Sequence, residues 1–413
     1  MSTHTFSCHV IGNGTLLVQC TERLLADGHR VLSVITENAE VAVWAESREL
    51  PVHAPGKDLA ARLGGEPFDW LFSIAYLKVI PDDVIALPAK GAVNFHDGPL
   101  PRYAGLNAPV WAIAAGERTH GVSWHLIEGG IDEGDLLAQR LFDLADRETC
   151  LTLNTRCYEL GAETFGELAT QLGETGEATR KKQDLGKRSY FARDHRPAAA
   201  SALDFEEPAH ALDALVRALD HGRYPNPVAV PKVFAGDVPL LVSAAERDVD
   251  SVSEAPGTVL SVEDGAAIVA TAAGALRLSG FTDLEGAQGD LEAVGGRAGA
   301  SLATSLERRT ARGTLDAAMA KNEPFWTKRL LTLEPARLAG AAPESDAAPR
   351  IERRPASIDA SAAGALAVVG ARASLFEQIT RQLRSLRHRA VLQLEGTEVA
   401  SDHAASGSIW RGE

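Results

Sequence analysis

The stretch GAVNFHDGPLPRYAG, residues 91–105, decides how we expect this chain to fold. Its first half is an apolar run typical of a buried strand, and two polar residues, Asn94 and His96, stand where that strand should open into a loop. Alternate residues at a strand end point to the same side, so Asn94 and His96 can face one ligand together. Because open parallel sheets bind ligands at the carboxyl ends of their strands, we predict a functional site at this point.

The residues before this stretch alternate between strand-like and helix-like segments. Strands are predicted at residues 6–12, 31–35, 51–53, 69–74 and 91–96, and helices at 16–27 and 41–49 lie between them. This alternation predicts a doubly wound, Rossmann-like α/β domain. A Gly12-x-Gly14 turn follows the first strand, but Leu17 stands where a dinucleotide fingerprint has its third glycine. We therefore expect a tight turn that lines some other ligand.

A second signal lies in the segment GIDEGD, residues 130–135. Strands are predicted on both sides of it, at 121–127 and 136–144, which places Asp132 in the loop between them. We expect Asp132 to return to His96, whereas His125 on the first of these strands is interpreted as a packed polar residue. A long helix over residues 149–172 should then cover the sheet.

Asn94, His96 and Asp132 are the candidate catalytic residues. An imidazole can donate or accept a proton near neutral pH, and a nearby carboxylate fixes its tautomer. A carboxamide N–H can stabilise an oxygen that gains negative charge. Since no activated Ser or Cys belongs to the motif, the trio suits direct transfer of an acyl group to an amine. Spacing alone leaves a structural role open for Asn94 and His96, and a turn role for Asp132.

The chain is long enough for two or three domains, and its composition changes along the sequence. Short strands with turn signals, typical of a small β-barrel, are predicted after the first domain at residues 228–234, 238–242, 258–262, 266–271 and 275–278. A stretch rich in Ala, Pro and charge is typical of a flexible linker, and the βαβ unit after it is too small to fold alone. We predict a catalytic domain at 1–185, a barrel domain at 186–300, a helical segment at 301–335, a linker at 336–364 and a partial α/β unit at 365–413.

Composition and charge narrow the classes of partner and location. The net charge of −15 argues against a nucleic acid held mainly by its phosphates, although a local basic patch can hide within an acidic total. The four cysteines show no CxxC spacing, and Cys150 and Cys157 lie seven apart, so we expect buried thiols on one helix face and no metal. Neither a signal peptide nor an apolar run of ~18 residues is found, so we expect a cytoplasmic protein.

The segments around the candidate residues resemble those of the formyltransferases that use 10-formyltetrahydrofolate, the family of methionyl-tRNA formyltransferase. The resemblance spans residues 7–175 and rests on Asn94-Phe95-His96, residues 100–105, residues 130–135, Ala75-Tyr76 and Gly121-Val122-Ser123. A weaker resemblance through residues 190–193, 215–219 and 256–259 implies the C-terminal barrel of that family, an open OB-like fold.

This resemblance implies a role for each site residue. Asn94 would hydrogen-bond the formyl oxygen, His96 would stabilise the tetrahedral adduct and pass a proton to the departing folate nitrogen, and Asp132 would hold His96 and help to deprotonate the amine. For Arg102 an anion contact and a salt bridge to a neighbouring loop both stay open. The folate donor would contact Tyr76, Gly98, Pro99, Leu100, Pro101 and Ile131.

Three acceptor amines remain open. Enzymes that formylate methionyl-tRNA carry a basic insertion after the second strand, whereas residues 36–41 here read TENAEV, short and acidic. An amino-sugar nucleotide has no clear pocket signature in the sequence. We favour an aminoacyl group on a carrier protein of non-ribosomal peptide synthesis, because residues 322–330 look like the helical lead-in to a condensation or adenylation domain.

A function of another class also stays open. The chain could be a non-catalytic folate-binding or docking module of a larger synthetase. The intact set of Asn94, His96 and Asp132 counts against this alternative, since a decayed site has no chemical need for all three.

Overall fold

The computed structural model describes residues 4–331 of the chain, and a seven-stranded sheet forms the centre of its first part. In chain order the elements of this part are β1 (Ser7–Ile11), α1 (Thr15–Ala26), β2 (Arg30–Ile35), α2 (Ala39–Ser47), β3 (Val52–His53), α3 (Leu59–Leu63), β4 (Trp70–Ser73), α4 (Asp82–Ile85), β5 (Gly91–His96), β6 (Ala104–Gly105), α5 (Ala108–Ala114), β7 (Thr119–Leu126), β8 (Leu136–Asp143), α6 (Cys150–Thr175) and β9 (Tyr190–Phe191).

The strand order of this sheet is β3-β2-β1-β4-β5-β7-β8. The first five strands in that order pair in parallel, whereas β7 pairs antiparallel with both β5 and β8. The expected α/β domain is therefore present as a mixed sheet, in which two antiparallel strands extend one edge of a parallel one. The order reverses between β1 and β4, which is the position where doubly wound sheets open a crevice at the carboxyl ends of their strands.

Helices cover both faces of the sheet, as its buried strands require. On one face α1 and α6 pack on the strands, and Phe72 of β4 meets Phe165 of α6 edge-on, with 5.2 Å between ring centroids. Cys150 and Cys157 are free, buried thiols of α6, so the helix-face prediction from their spacing is confirmed. The short helices α3 and α4 pack on the opposite face.

The second part of the chain is built from short antiparallel strands and three helices. Its elements are α7 (Ala209–Ala218), β10 (Lys232–Ala235), β11 (Val238–Leu241), β12 (Ala244–Arg247), β13 (Val259–Glu263), β14 (Ala266–Ala270), β15 (Ala275–Ser279), α8 (Leu306–Ala320) and α9 (Glu323–Leu331). β10 and β11 form a hairpin, and the remaining four form a sheet of order β12-β15-β14-β13. α7 packs with these strands around a second apolar core.

The sequence prediction for this part is right for most strands and wrong at one. A strand was expected from residue 228, but β10 begins at Lys232. The side chain of Asn226 explains the difference, because it accepts from the backbone N–H groups of Val228 and Ala229 and so holds a turn. Strand β12 was not anticipated from the sequence.

Several sequence predictions fall on residues outside the described range. These are the linker at 336–364, the partial α/β unit at 365–413 and the last residues of the helical segment at 301–335. Between residues 4 and 331, no helix is both long and apolar enough to cross a bilayer.

The turn after β1 provides a test of the packing at the sheet's carboxyl edge. A Cβ on Gly12 would lie 1.9 Å from the carbonyl oxygen of Ile74, a backbone atom, whereas a Cβ on Gly14 would meet only ordinary contacts from 3.6 Å outward. We expect Gly12→Ala to lower the free energy of unfolding by about 1–3 kcal/mol, because β1 and β4 must move apart. Denaturant titration checks this against Gly14→Ala, for which we expect little change. Equal losses in the two variants would contradict the expectation.

Candidate active site

The carboxyl end of β5 carries the first two candidate residues. Asn94 is half-buried and His96 is 5% exposed, and both lie on one side of the strand. In the sheet β5 lies between β4 and β7, with Ser73 beside Asn94 in one register and His125 opposite Asn94 in the other. Neighbouring strands therefore bring polar side chains to both sides of the Asn94 carboxamide.

The carboxamide of Asn94 is held at both of its ends. Ser73 Oγ donates to Asn94 Oδ1 at 2.8 Å, and Asn94 Nδ2 lies 3.2 Å from His125 Nε2. His125 Nδ1 donates to the carbonyl of Leu126 at 2.8 Å, so in the neutral ring Nε2 is an acceptor for Asn94. These bonds assign the amide orientation, and they leave the second N–H of Asn94 available to donate.

The imidazole of His96 is fixed through one nitrogen. Nε2 lies 2.8 Å from the carbonyl oxygen of Tyr103, which can only accept, so Nε2 carries a hydrogen. Nδ1 faces two carboxylates, with Asp132 Oδ2 at 3.6 Å and Asp97 Oδ1 at 4.0 Å. A Cβ on Gly98 would lie 2.7 Å from Nε2, so a glycine is needed there for the ring to fit. Nδ1 is therefore the ring nitrogen at which His96 can gain or lose a proton.

Asp132 reaches both imidazoles from the loop between β7 and β8. Its backbone is left-handed, with φ of 57°, a conformation that Asp and Asn tolerate better than most residues. Oδ2 accepts from the backbone N–H of Gly105 at 2.7 Å, and Oδ1 lies 3.4 Å from His125 Nε2. Its side chain is 10% exposed, so a nearly buried carboxylate sits between His96 and His125.

The two carboxyl groups beside His96 have opposite pKa shifts. Burial opposes ionisation of Asp132, but the charges of His96 and His125 and the hydrogen bonds from His125 and Gly105 outweigh it and hold the pKa of Asp132 well below its ordinary value of 3.8. Burial raises the pKa of Asp97, and the charge of Asp132 adds to that rise while His96 opposes it. Asp132 is therefore the better permanent anion of the two, and the one suited to hold an imidazolium.

His125 belongs to the same polar cluster, although the sequence pattern alone did not predict this. It is buried, as that interpretation held, but its Nε2 also contacts both Asn94 and Asp132. The neutral ring accepts from Asn94, whereas a ring protonated on Nε2 would donate to Asp132 instead. The available signal was a polar residue in an alternating apolar strand, which does not by itself reveal the cross-strand register.

The loop after β5 is fastened from β7 and β8. Ser123 Oγ donates to the Gly98 carbonyl at 2.8 Å, and Gln139 Nε2 donates to the Leu100 carbonyl at 2.8 Å. Contact of the six expected folate-lining residues with a donor stays a prediction. Of these six, the structure buries Gly98, Pro99 and Leu100, half-buries Tyr76 and Pro101, and leaves Ile131 49% exposed.

Arg102 forms one of the two contacts that the sequence left open. Its guanidinium pairs with Glu117 at 3.0 Å and lies 5.4 Å from the centre of the Tyr103 ring. The salt-bridge interpretation is the one that the structure shows. Within residues 4–331, no group of three or more His, Cys, Asp or Glu side chains is placed to hold a metal ion.

Because the pKa of Asp132 is lowered in the folded protein, the contribution of this carboxylate to the free energy of unfolding should depend on pH. Asp132→Asn keeps the side-chain size and the left-handed backbone, and we expect it to lower the free energy of unfolding by about 1–3 kcal/mol above the ordinary Asp pKa of 3.8, where the wild-type carboxylate is ionised. Because the native pKa is the lower one, the unfolded chain binds the proton first, and the wild-type advantage shrinks as the pH falls below about 4.

Denaturant titrations at a series of pH values measure this difference. Asp248→Asn, which removes an exposed carboxylate, is the control and should show a small, flat difference. An advantage over Asp132→Asn that stays constant as the pH falls below 4 would contradict the assignment of Asp132 as a stabilised anion.

Comparison with known proteins identifies the family to which the chain belongs. Residues 9–168 match the formyl transferase family model, and residues 198–288 match the model of the formyl transferase C-terminal domain. The fold resembles that of an N-formyltransferase from Helicobacter canadensis solved with folinic acid and dTDP-3-aminofucose, with a TM-score of 0.55 at 16% identity over 67% of this chain and 100% of that one.

A second structure with this fold is WlaRD, a sugar 3N-formyltransferase solved in the presence of dTDP and 5-N-formyl-THF. The TM-score is 0.54 at 17% identity, and the match covers 67% of this chain and 98% of that one. At these identities the two structures establish a shared fold. Together the two family models cover more than half of the sequence, and the chain belongs to the formyltransferase family.

Proposed function

We propose that this protein transfers a formyl group from 10-formyltetrahydrofolate to a primary amine. The observation that carries the proposal is the convergence of a carboxamide, two imidazoles and a carboxylate at the carboxyl end of β5, with 3.2–3.6 Å between Asn94, His125, Asp132 and His96. Formyl transfer needs a donor to an oxygen, a group that exchanges a proton and a base for the amine. Each of these needs has a side chain in this cluster.

Asn94 would hold the oxygen of the formyl group. The bonds from Ser73 and to His125 fix its amide and leave one N–H unused, which is the hydrogen that can point at a bound oxygen. A fixed donor of this kind stabilises the negative charge that grows on oxygen when an amine adds to the carbonyl carbon. Truncation of such a donor typically slows an enzyme by about 10²–10³-fold.

His96 and Asp132 would move the protons. In its imidazolium form His96 carries a proton on Nδ1, 3.6 Å from Asp132 Oδ2 and beyond a good hydrogen bond, so the ring can give that proton to the departing nitrogen and become neutral. Asp132 would help to take a proton from the attacking amine and pass it to the His96 ring, which the first transfer leaves neutral. His125 would position Asn94 and Asp132 relative to each other, because its Nε2 contacts both.

A folate donor would lie against the loop after β5. The proposal assigns it to Gly98, Pro99, Leu100 and Pro101, with Tyr76 and Ile131 on the two neighbouring loops. The loop's anchoring by Ser123 and Gln139 gives such a site a rigid wall. The two structures of similar fold were solved with folinic acid and 5-N-formyl-THF, which supports a formyl-folate as the donor.

For the acceptor we propose an aminoacyl group bound to a carrier protein of non-ribosomal peptide synthesis. Residues 323–331 form helix α9, in agreement with the helical lead-in read from the sequence. The loop and helix that follow β2 carry Glu37 and Glu40, so this edge does not offer the basic surface that methionyl-tRNA would need. Methionyl-tRNA is accordingly the least supported acceptor.

An amino-sugar nucleotide is the second candidate acceptor. The observation in its favour is the likeness in fold to two N-formyltransferases, one solved with dTDP-3-aminofucose and the other described as a sugar 3N-formyltransferase. Both matches span nearly the whole of those chains, including their second parts. The acceptor assay below separates this candidate from the carrier-bound one.

The domain organisation and the cellular location predicted from the sequence fit the same function. We propose catalytic and barrel domains at 1–185 and 186–300, the second an open OB-like fold, supported by the antiparallel strands β10 to β15 around their own core. The free, buried state of the four cysteines suits a reducing compartment such as the cytoplasm.

An acceptor panel tests the proposal directly. The protein is incubated with 10-formyltetrahydrofolate and, in turn, an aminoacyl-loaded peptidyl carrier protein, methionyl-tRNA and a dTDP-amino sugar, and formylated product is measured by mass spectrometry. We expect the carrier-bound amine to react fastest, since the acidic edge beside β2 disfavours tRNA. Efficient tRNA formylation would end this preference, and folate binding without turnover of any acceptor would identify a non-catalytic module.

Removal of the His96 imidazole should abolish most of the turnover while the protein stays folded. We expect His96→Ala to lower kcat by about 10²–10⁴-fold, because the variant loses the imidazole that would give a proton to the leaving nitrogen. His29→Ala is the matched control, since it removes another buried imidazole, which directly precedes β2 and so lies at the amino ends of the parallel strands, away from the candidate site at their carboxyl ends. Near-normal kcat in His96→Ala, with a native circular dichroism spectrum, would show that the site is misassigned.

A further inference from the structure

The segment that leaves the first part of the molecule has the opposite charge to the rest of the chain. Residues 180–196, which we call the basic strap, contain seven Lys and Arg residues against two Asp, a net charge of +5. The whole chain carries −15. A run of positive charge in an otherwise acidic chain needs an explanation. Either these cations pair with carboxylates of the same protein, or they bind a partner.

The basic strap runs along the candidate active site. Its start pairs with β8, since Lys181 and Leu136 exchange two backbone hydrogen bonds of 2.8 Å. Gln183 Nε2 donates to the carbonyl of Asp132 at 2.9 Å, and β9 at the other end pairs with Gly105, whose N–H holds the Asp132 carboxylate. The basic strap therefore contacts Asp132 directly through Gln183, and it contacts Gly105, a hydrogen-bond partner of Asp132, through β9.

Most cations of the basic strap already have a structural use. Arg180 pairs with Glu128 at 3.1 Å, Arg188 lies 3.5 Å from Glu133, and Arg196 pairs with Glu323 at 2.9 Å. Lys181 and Lys182 are exposed, and within residues 4–331 neither ammonium has a hydrogen-bond or ion-pair partner. Two adjacent free cations thus remain beside Gln183, the residue that contacts the Asp132 loop.

Apolar groups stand in the same exposed stretch. Leu185 is 47% exposed and Tyr190 is 43% exposed, and the guanidinium of Arg188 lies 4.8 Å from the centre of the Tyr190 ring. Tyr and Arg are enriched in protein–protein contact surfaces relative to the rest of a protein's surface. A nucleic acid would instead be held by many phosphate contacts, for which two free lysines are few.

We propose that Lys181 and Lys182, with Leu185 and Tyr190, form the docking surface for an acidic carrier protein that brings the amine on its phosphate-bearing arm. The inference rests on the carrier-bound acceptor proposed above. Charge complementarity selects an acidic partner, and the bonds of the strap to the Asp132 loop and to Gly105 place that partner beside the reacting groups. Charged groups at the periphery of an interface mainly raise the rate at which the two proteins meet. The contribution of Lys181 and Lys182 to carrier binding should therefore fall as the salt concentration rises.

The test compares one acceptor in two forms. The full chain is assayed with an aminoacyl-loaded peptidyl carrier protein and with the same amino acid as a pantetheine thioester, which lacks both the protein and the phosphate. We expect Lys181→Glu/Lys182→Glu to lower kcat/KM for the carrier-bound form about tenfold through KM, to leave kcat unchanged, and to leave the pantetheine thioester unaffected. At about 1 M salt, where the screening length is ~3 Å, the difference from wild type should close.

Lys57→Glu/Lys321→Glu is the matched control, because it replaces two exposed lysines elsewhere and changes the net charge by the same amount. If the wild type formylates the carrier-bound amine and both double variants behave alike, the docking surface is wrong while the proposed function stands. If the wild type formylates the pantetheine thioester but never the carrier-bound form, the proposed acceptor and the docking surface both fail. Loss of tRNA formylation in the strap variant, with carrier formylation intact, would reassign the surface to nucleic acid.

Discussion

The nearly buried carboxylate of Asp132 is the charge on which the rest of the site depends. A carboxylate removed from water is costly unless charged and hydrogen-bonding partners replace the lost hydration. Here Gly105, His96 and His125 supply those partners, and they come from three separate segments of the chain. The same contacts that keep Asp132 ionised therefore also fix where β5, β7 and the loop after β5 meet.

The antiparallel strand β7 gives the parallel sheet a site that it could not form alone. In a parallel pair the neighbour of β5 would end at the same edge, but β7 enters there, so His125 lies opposite Asn94 and Ser123 opposite His96. One strand thus holds the Asn94 amide and, through Ser123, the loop that begins at Gly98. The geometry of the polar cluster and the anchoring of the loop after β5 depend on the same strand register, so a slip of β7 by one residue would remove both.

Local sequence patterns were sufficient to predict most strands and helices of the first domain, but they could not predict the contacts between those elements. The strands β1 to β5 and the helices α1 and α6 follow from apolar periodicity, because each element buries a continuous stripe of its own residues. The order and spacing of Asn94, His96 and Asp132 were readable in the same way, with a family resemblance to add their roles. The cross-strand position of His125 and the pairing of β6 with β9 join residues 31 and 86 positions apart, and no short window of sequence contains that information.

The net charge of the whole chain likewise does not predict the charges that surround the candidate site. A total of −15 describes the long-range field, which governs solubility and encounter with polyanions, but a partner at the active site meets only the groups within about a Debye length of 8–10 Å. Along the basic strap Lys181 and Lys182 are exposed cations without a carboxylate partner in the described residues, whereas the loop and helix after β2 carry Glu37 and Glu40. An acceptor approaching the Asp132 loop and one approaching the loop after β2 would therefore meet opposite fields on one molecule. If the protein acts as proposed, the choice among amines would rest with the segments that border the cluster, since its four side chains are the same for every amine.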